Sequence, residues 1–131
     1  MKVLADTCIW SEVLRRKSPD EAIKKRFYEL IQENRVEIIG PIRQEILTGF
    51  SEIKQFNALK GHLAQFEDIP LKTEHFEKAA EFCNLCRQKG IQGSAIDFLI
   101  CAVAFVENFI IFTTNQDFEN YQKYLPLKLI K

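Results

Sequence analysis

The segment 109–113, Phe-Ile-Ile-Phe-Thr, is the most apolar strand candidate in the chain. A continuous apolar run is typical of a central strand in a parallel sheet that is buried on both faces. Further strands are predicted at 2–5, 36–39 and 127–130, with a short strand or edge segment at 69–71. Because helical patterns alternate with these strands, the sequence predicts an α/β fold, a three-layer α/β/α sandwich around a mostly parallel central sheet.

Start and stop signals bound the predicted helices. Residues 8–15 form a short helix or turn, and the next helix begins with Ser18 as its cap and Pro19 at its first position. Later helices are predicted at 42–48, 51–65 and 73–89, and Gly49 and Gly90 end the first and the last of these. Ser94 is expected to cap the helix that carries Asp97, and Pro126 favours an edge position for the last strand.

Length and composition indicate one ordinary domain spanning residues 1–131. Hydrophobic residues make up 47% and charged residues 27% of the chain, which is typical of a globular protein. No stretch approaches the roughly 20 apolar residues of a membrane span. The N-terminus is predicted to be a strand and not a signal peptide, so we expect a cytoplasmic location.

The formal net charge is zero, with 18 basic and 18 acidic residues, so the chain as a whole lacks the positive field of an indiscriminate nucleic-acid binder. A local basic patch remains open. Its candidates are Arg15-Arg16-Lys17 and Lys24-Lys25-Arg26, which could equally be the solvated faces of the first helices.

The four cysteines, Cys8, Cys83, Cys86 and Cys101, are interpreted as reduced thiols. Cys83 and Cys86 form a C-x-x-C pair inside a predicted helix, without a second pair to complete a tetrahedral zinc site. Free cysteine usually behaves as a small core hydrophobe, and Cys101 lies in the most apolar helix.

Acidic residues stand at the ends of predicted strands or near the starts of helices at four positions, Asp6, Glu45, Asp97 and Asp117. Asp6 ends the first strand, and Asp117 follows the apolar strand 109–113. Asp97 lies near the start of an almost wholly apolar helix, where an unpaired carboxylate would be costly to bury. Ligands of open α/β sheets bind outside the carboxyl ends of the strands, so these acids are candidate site residues.

Each acid alone could be a cap, a turn former or a solvated side chain. Glu45 could be an ordinary exposed glutamate, although helical side chains lean back toward the helix start and hence toward the strand edge. Carboxylates that converge on one edge repel each other unless a cation neutralises them, and all-oxygen ligation suits Mg²⁺ or Mn²⁺. Together the acids predict a divalent-metal site.

In these segments the chain resembles the PIN-domain ribonucleases, and most closely the VapC-like toxins of bacterial and archaeal toxin–antitoxin modules. The resemblance covers nearly the whole length. It rests on the strand that ends in Asp6-Thr7, on Glu45 in a helix opened by Pro41, on residues 93–104 around Asp97, and on Thr113-Thr-Asn-Gln-Asp117-Phe118. Many relatives have Asp where this chain has Asn115, so either Asp117 alone supplies the fourth carboxylate or Asn115 shares the role as a neutral ligand.

The resemblance implies a Mg²⁺- or Mn²⁺-dependent endoribonuclease that hydrolyses RNA phosphodiester bonds as the toxin of a toxin–antitoxin pair. Asp6, Glu45, Asp97 and Asp117 would be its metal-binding acids, and the metal would activate a bound water. Thr7, Thr113, Thr114 and Asn115 could orient this water or a phosphate oxygen, or could only form turns. His62 and His75 are given no catalytic role. The resemblance also implies a homodimer and a cognate antitoxin that covers the acids.

Two rivals remain. One is a small phosphatase or phosphotransfer domain, but Asp6-Thr7-Cys8 lacks the second Asp of a D-x-D motif, and no lysine follows a strand as in receiver domains. The other is a module that keeps the fold and only binds RNA or a protein, its site weakened by Asn115.

Overall fold

A computed structural model describes residues 1–130, in which four short strands form one parallel sheet. The strands are β1 (Val3–Ala5), β2 (Val36–Glu37), β3 (Ile110–Phe112) and β4 (Leu129–Ile130), in the spatial order β2-β1-β3-β4. The helices are α1 (Thr7–Leu14), α2 (Glu21–Gln32), α3 (Gly40–Thr48), α4 (Ile53–Leu63), α5 (Thr73–Gln88), α6 (Ala95–Glu107) and α7 (Asp117–Gln122). The predicted α/β class is confirmed, with helices flanking a parallel sheet.

The apolar strand β3 is central, as predicted, because it pairs with β1 on one side and β4 on the other. The last strand lies at an edge, also as predicted. Of the two possibilities predicted for 69–71, a short strand or an edge segment, the structure has the edge segment. Only Asp68 pairs with the sheet region there, through a single parallel bridge to Ile38, and the chain then turns into α5.

The predicted start of α2 is also corrected. Asp20, not Ser18, caps the helix, because its carboxylate accepts hydrogen bonds from the backbone N–H groups of Ala22 and Ile23 at 3.0 and 3.1 Å. Pro19 therefore lies before the cap and not at the first helical position. The two caps differ by two residues and leave the helix itself unchanged.

The core is densest in α6, where all seven residues from Phe98 to Ala104 are buried. Burial of a large apolar side chain stabilises the fold by roughly 1.5–3 kcal/mol, so this helix anchors the sheet and α5 to one another. Asn108 in the left-handed conformation ends α6 and directs the chain into β3. Within residues 1–130, no helix combines the length and the apolar character needed to cross a bilayer.

The register of β1 and β3 determines what lies at the carboxyl edge of the sheet. Ala5 pairs with Phe112, the last residue of each strand. Asp6 and Thr113 are consequently the first residues beyond the paired strands, side by side. The sheet topology thus brings together two residues that are 107 positions apart in the sequence.

Candidate active site

Asp6 is a buried carboxylate at the carboxyl end of β1, with only 6% of its surface exposed. It is the N-cap of α1, and its Oδ1 accepts a hydrogen bond from the backbone N–H of Thr7 at 2.8 Å. Its Oδ2 accepts one from the Thr113 hydroxyl at 2.9 Å and one from the Cys8 thiol at 3.4 Å. The carboxylate is therefore held by groups that follow the ends of both central strands.

Burial raises the pKa of Asp6 above its ordinary value, and the negative charge of Asp97 contributes to the increase. The hydrogen bonds from Thr113, Thr7 and Cys8 favour the ionised form and oppose this shift. The net direction shows that desolvation dominates. A cation beside Asp6 would remove this penalty.

Asp97 lies in the first turn of α6, whose N-cap is Ser94 as the sequence predicts. The Ser94 hydroxyl accepts a hydrogen bond from the backbone N–H of Asp97 at 3.1 Å. The Tyr121 hydroxyl donates to Oδ2 of Asp97 at 2.7 Å. Burial, and then the hydrogen bond to Asp97, raise the pKa of Tyr121, so the phenol remains a proton donor.

Glu45 is exposed on α3, the helix that follows the edge strand β2 along the chain. Its Oε2 accepts a hydrogen bond from the Thr7 hydroxyl at 3.1 Å. Thr7 follows Asp6, so this bond ties the α3 carboxylate to the carboxyl end of β1. The predicted inclination of Glu45 toward the strand edge agrees with this contact.

Three of the four predicted acids line one pocket of about 330 Å³. Asp6, Glu45 and Asp97 contribute carboxylates, and Asn115 contributes an amide. The complete lining is Asp6, Thr7, Cys8, Ser11, Arg15, Glu45, Ser94, Ile96, Asp97 and Asn115. Asp117 is not part of it. That residue is exposed at the start of α7, where its backbone N–H donates to Oδ1 of Asn115 at 3.0 Å.

Thr113 and Thr114 lie behind and beside these acids. Besides its bond to Asp6, the buried Thr113 hydroxyl accepts the backbone N–H of Asn115 at 3.0 Å. Thr114 donates from its hydroxyl and its backbone N–H to the sulfur of Cys8, both at 3.4 Å. These contacts join both threonines to the residues of the pocket, and Cys8, which the sequence predicts only to be a reduced thiol, is part of the pocket lining.

Sequence reasoning did not predict three residues at or next to the pocket: Ser11, Arg15 and Tyr121. Ser11 and Arg15 reach it only through the direction of α1, and Tyr121 reaches Asp97 only because α7 packs beside α6. Four-residue spacing from Thr7 to Ser11 and Arg15 was the one available signal, since residues at this spacing share a helix face.

The two histidines lie outside the lining of this pocket. His62 is exposed on α4, and His75 is buried near the start of α5. The Nδ1 atom of His75 accepts the backbone N–H of Lys72 at 2.9 Å, and its Nε2 lies 3.6 Å from a carboxylate oxygen of Glu107. All four cysteines are free thiols.

The donor set of the pocket fits a hard divalent cation. Carboxylate and amide oxygens are the ligands that Mg²⁺ and Mn²⁺ prefer, and the desolvated Asp6 beside the charge of Asp97 is an arrangement that a cation stabilises. Among residues 1–130, however, no three His, Cys, Asp or Glu side chains stand in a group that could hold an ion. The pocket therefore has the ligand types of a metal site, but its carboxylates are too far apart to form a ligand group in this structure.

Solved structures share this fold over the full chain. A chain of FitAcB from Neisseria gonorrhoeae superposes with a TM-score of 0.81 at 22% identity, covering 98% of this chain and 96% of that one. VapBC2 from Rickettsia felis, bound to a DNA fragment from its promoter, gives 0.80 at 24%, covering 99% and 98%. VapBC-5 from Mycobacterium tuberculosis, of the VapBC family of toxin–antitoxin systems, gives 0.71 at 19%, covering 100% and 99%.

At these identities the structural likeness establishes the fold, and it agrees with the predicted resemblance to VapC-like chains. No curated protein sequence matches the chain. The family model described as "PIN domain" matches residues 3–124, which include β1, β3 and every residue that lines the pocket. The chain therefore belongs to the PIN-domain family.

Proposed function

We propose that this chain is a cytoplasmic endoribonuclease that depends on Mg²⁺ or Mn²⁺ and hydrolyses RNA phosphodiester bonds. The observation that carries the proposal is the pocket at the carboxyl edge of the sheet, which Asp6, Glu45 and Asp97 all line. PIN domains are a family of nucleases, which agrees with this chemistry. The pocket contains no Ser–His or Cys–His pair of the kind used in nucleophilic catalysis.

Asp6, Glu45 and Asp97 would hold the metal ion. When bound, such an ion lowers the pKa of water and offsets negative charge on the phosphate. Thr113 and the backbone of Thr7 fix both oxygens of Asp6, and Tyr121 fixes one oxygen of Asp97. The chain's own contribution is thus to hold these carboxylates in place before substrate arrives.

For the fourth ligand, the pocket favours Asn115 over Asp117. Asn115 lines the pocket, whereas Asp117 uses its backbone N–H to hold the Asn115 side chain. We infer that Asp117 acts mainly by orienting Asn115 and by its charge near the site. Its role as a direct ligand remains the alternative.

The experiment that tests the nuclease is cleavage of a mixed cellular RNA pool by the purified chain. Reactions with Mn²⁺ are compared with reactions in EDTA and with the Asp6→Asn variant. We expect discrete cuts that need the metal and vanish in the variant, while circular dichroism shows an unchanged fold. RNA binding that persists in EDTA, without cleavage, would instead support a binding module.

The chain is further proposed to be the toxin of a toxin–antitoxin pair. An apolar groove of about 480 Å³ lies between α5 and the start of α6 and reaches the acid pocket at Ile96, which lines both. Phe76 in this groove is 52% exposed. An antitoxin segment with apolar side chains in the groove and a basic group at the acids would cover the site. The matched complexes from toxin–antitoxin systems agree with this.

Co-expression with the product of the neighbouring gene tests the partner. We expect the two proteins to co-elute and the complex to be inactive. Phe76→Glu should weaken the complex, whereas Tyr28→Glu, at a similarly exposed aromatic on α2, should not. Failure to co-elute, or equal loss with both variants, would contradict a partner on this groove. The homodimer is a separate proposal, tested by light scattering of the purified chain.

A further inference from the structure

We propose that Arg15 binds a phosphate group of the RNA backbone at the rim of the acid pocket. The inference rests on the nuclease proposed above and names a substrate contact that this proposal lacks. The ligand class is a phosphodiester oxygen of a nucleotide next to the scissile bond. Arg15 is the one basic residue among those that line the pocket.

The direction of α1 brings Arg15 to the pocket. Thr7, Ser11 and Arg15 are spaced four residues apart, so they lie along one face of the helix, and all three line the pocket. Arg15 is the C-cap of α1, with its backbone N–H bonded to the carbonyl of Ser11. The helix therefore begins at the buried carboxylate of Asp6 and ends at a cation on the rim.

The guanidinium of Arg15 is held in place by uncharged groups. It donates a hydrogen bond to the carbonyl of Gly49 at 3.3 Å and lies 5.2 Å from the ring centroid of Phe50. A Cβ on residue 49 would overlap the guanidinium, so glycine permits this approach. Because a planar fork is already oriented, less side-chain entropy is lost when it binds an anion.

No carboxylate lies within salt-bridge distance of Arg15 among residues 1–130. One of its donors is used by Gly49, and a guanidinium has five N–H donors. The positive charge is consequently not neutralised by a local ion pair. A phosphate that accepts two parallel N–H bonds is the anion that matches this fork.

The neighbouring Arg16 is exposed like Arg15 but differs from it in its contacts. It forms an ion pair with Glu12 at 3.2 Å, and it does not line the pocket. It therefore has the same charge and nearly the same position in the sequence, without the same environment. Arg16 is a matched control for Arg15.

The chemistry of the site explains the need for such a contact. Three carboxylates repel RNA, and a metal ion held by them would offset charge only at the reacting phosphate. A cation on the rim binds a second phosphate and so fixes the register of the strand in the pocket. A contact of this kind lowers KM and has little effect on the chemical step.

The test measures binding and cleavage of a labelled single-stranded RNA with Mg²⁺ at several salt concentrations. Arg15→Ala is compared with Arg16→Ala, and Gly49→Ala with Gly61→Ala. An added Cβ would displace the Arg15 side chain at residue 49 but meets open space at residue 61. Arg15→Lys keeps the charge and removes the fork.

We expect Arg15→Ala to raise Kd and KM about three- to tenfold, with kcat nearly unchanged, and to reduce the slope of log Kd against log salt by about 0.7. Gly49→Ala should raise KM in the same direction, and Arg15→Lys should recover only part of the loss. Arg16→Ala and Gly61→Ala should match the wild type.

Equal effects of Arg15→Ala and Arg16→Ala on an active nuclease would overturn the phosphate contact and leave the proposed function intact. If the wild type bound RNA but did not cut it, the proposed nuclease activity would be refuted. The difference in salt slope between Arg15→Ala and Arg16→Ala would still decide whether Arg15 binds a phosphate. If the wild type neither bound nor cut RNA, both proposals would be wrong.

Discussion

The hydroxyl of Tyr121 donates a 2.7 Å hydrogen bond to Oδ2 of Asp97, and this bond joins the buried face of α7 to the acid pocket. The ring is fully buried, 5.0 Å from Phe98 and 5.2 Å from Phe118 between ring centroids. Gly93 leaves room for the phenol, because a Cβ there would overlap the Tyr121 hydroxyl. Packing therefore determines which oxygen of Asp97 is occupied.

Tyr121→Phe removes this hydrogen bond and keeps the ring. We expect a loss of stability of about 1 kcal/mol. The larger effect should be on metal use, because Asp97 is no longer held in one orientation. A titration of cleavage rate against Mn²⁺ should require several-fold more metal for half-maximal rate.

Tyr124→Phe is the control for this variant, since Tyr124 is 42% exposed and does not line the pocket. It should leave the Mn²⁺ requirement unchanged. If Tyr121→Phe lowered stability but left the metal requirement equal to that of the control, Tyr121 would be structural only.

Thr113→Val tests the contact between the two central strands. The substitution leaves Oδ2 of Asp6 and the N–H of Asn115 without the hydroxyl that serves both. Loss of a buried hydrogen-bond partner costs about 1–3 kcal/mol, which urea denaturation would measure. Thr113→Ser keeps the hydroxyl and should restore cleavage, and a Ser variant as inactive as Val would refute the positioning role.

Asp6→Asn should stabilise the protein in EDTA at neutral pH, because it removes a buried charge that Asp97 repels. The folded pKa of Asp6 lies above its ordinary value of 3.8, so its contribution to stability is present below 3.8 and is lost as pH rises through the folded pKa. The free energy of unfolding of the variant should therefore increase relative to that of the wild type as pH rises from 3.8 through the folded pKa of Asp6. Unfolding free energies measured across pH would contradict this if the wild type gained instead.

His75→Ala should reduce stability by about 2–3 kcal/mol, since it removes a buried ring and the acceptor for the Lys72 N–H. The exposed His62→Ala should change stability by less than about 0.5 kcal/mol. Both variants should cut RNA at the wild-type rate below their unfolding temperatures. Abolished cleavage in a folded, metal-binding His variant would give that histidine a catalytic role.

The parallel sheet and its acids could be predicted because each has a local signal. The apolar run at 109–113 indicates a central strand, and Asp6 stands at the end of another. Ser94 is a helix cap with its usual spacing to Asp97. Local signals of this kind depend on hydrogen bonds and periodicities within a few residues.

The remaining features depend on contacts between distant segments. The approach of Tyr121 to Asp97 needs α7 beside α6, and the orientation of Arg15 needs Gly49 and Phe50 from the end of α3. The separation of Asp117 from the pocket follows from the turn in which Asn115 accepts its N–H. The sequence indicates both Asn115 and Asp117 as candidates, and only the geometry of the turn shows that Asn115 lines the pocket.

Isothermal titration calorimetry with Mn²⁺ tests most directly whether the acid pocket binds a metal ion. The wild type is compared with Asp97→Asn and with Asp117→Asn, which differ in whether the altered carboxylate lines the pocket. We expect Mn²⁺ to bind the wild type, to bind Asp97→Asn at least about tenfold more weakly, and to bind Asp117→Asn nearly as well as the wild type. Absence of Mn²⁺ binding to the folded wild type, or equal affinity in Asp97→Asn, would contradict this expectation.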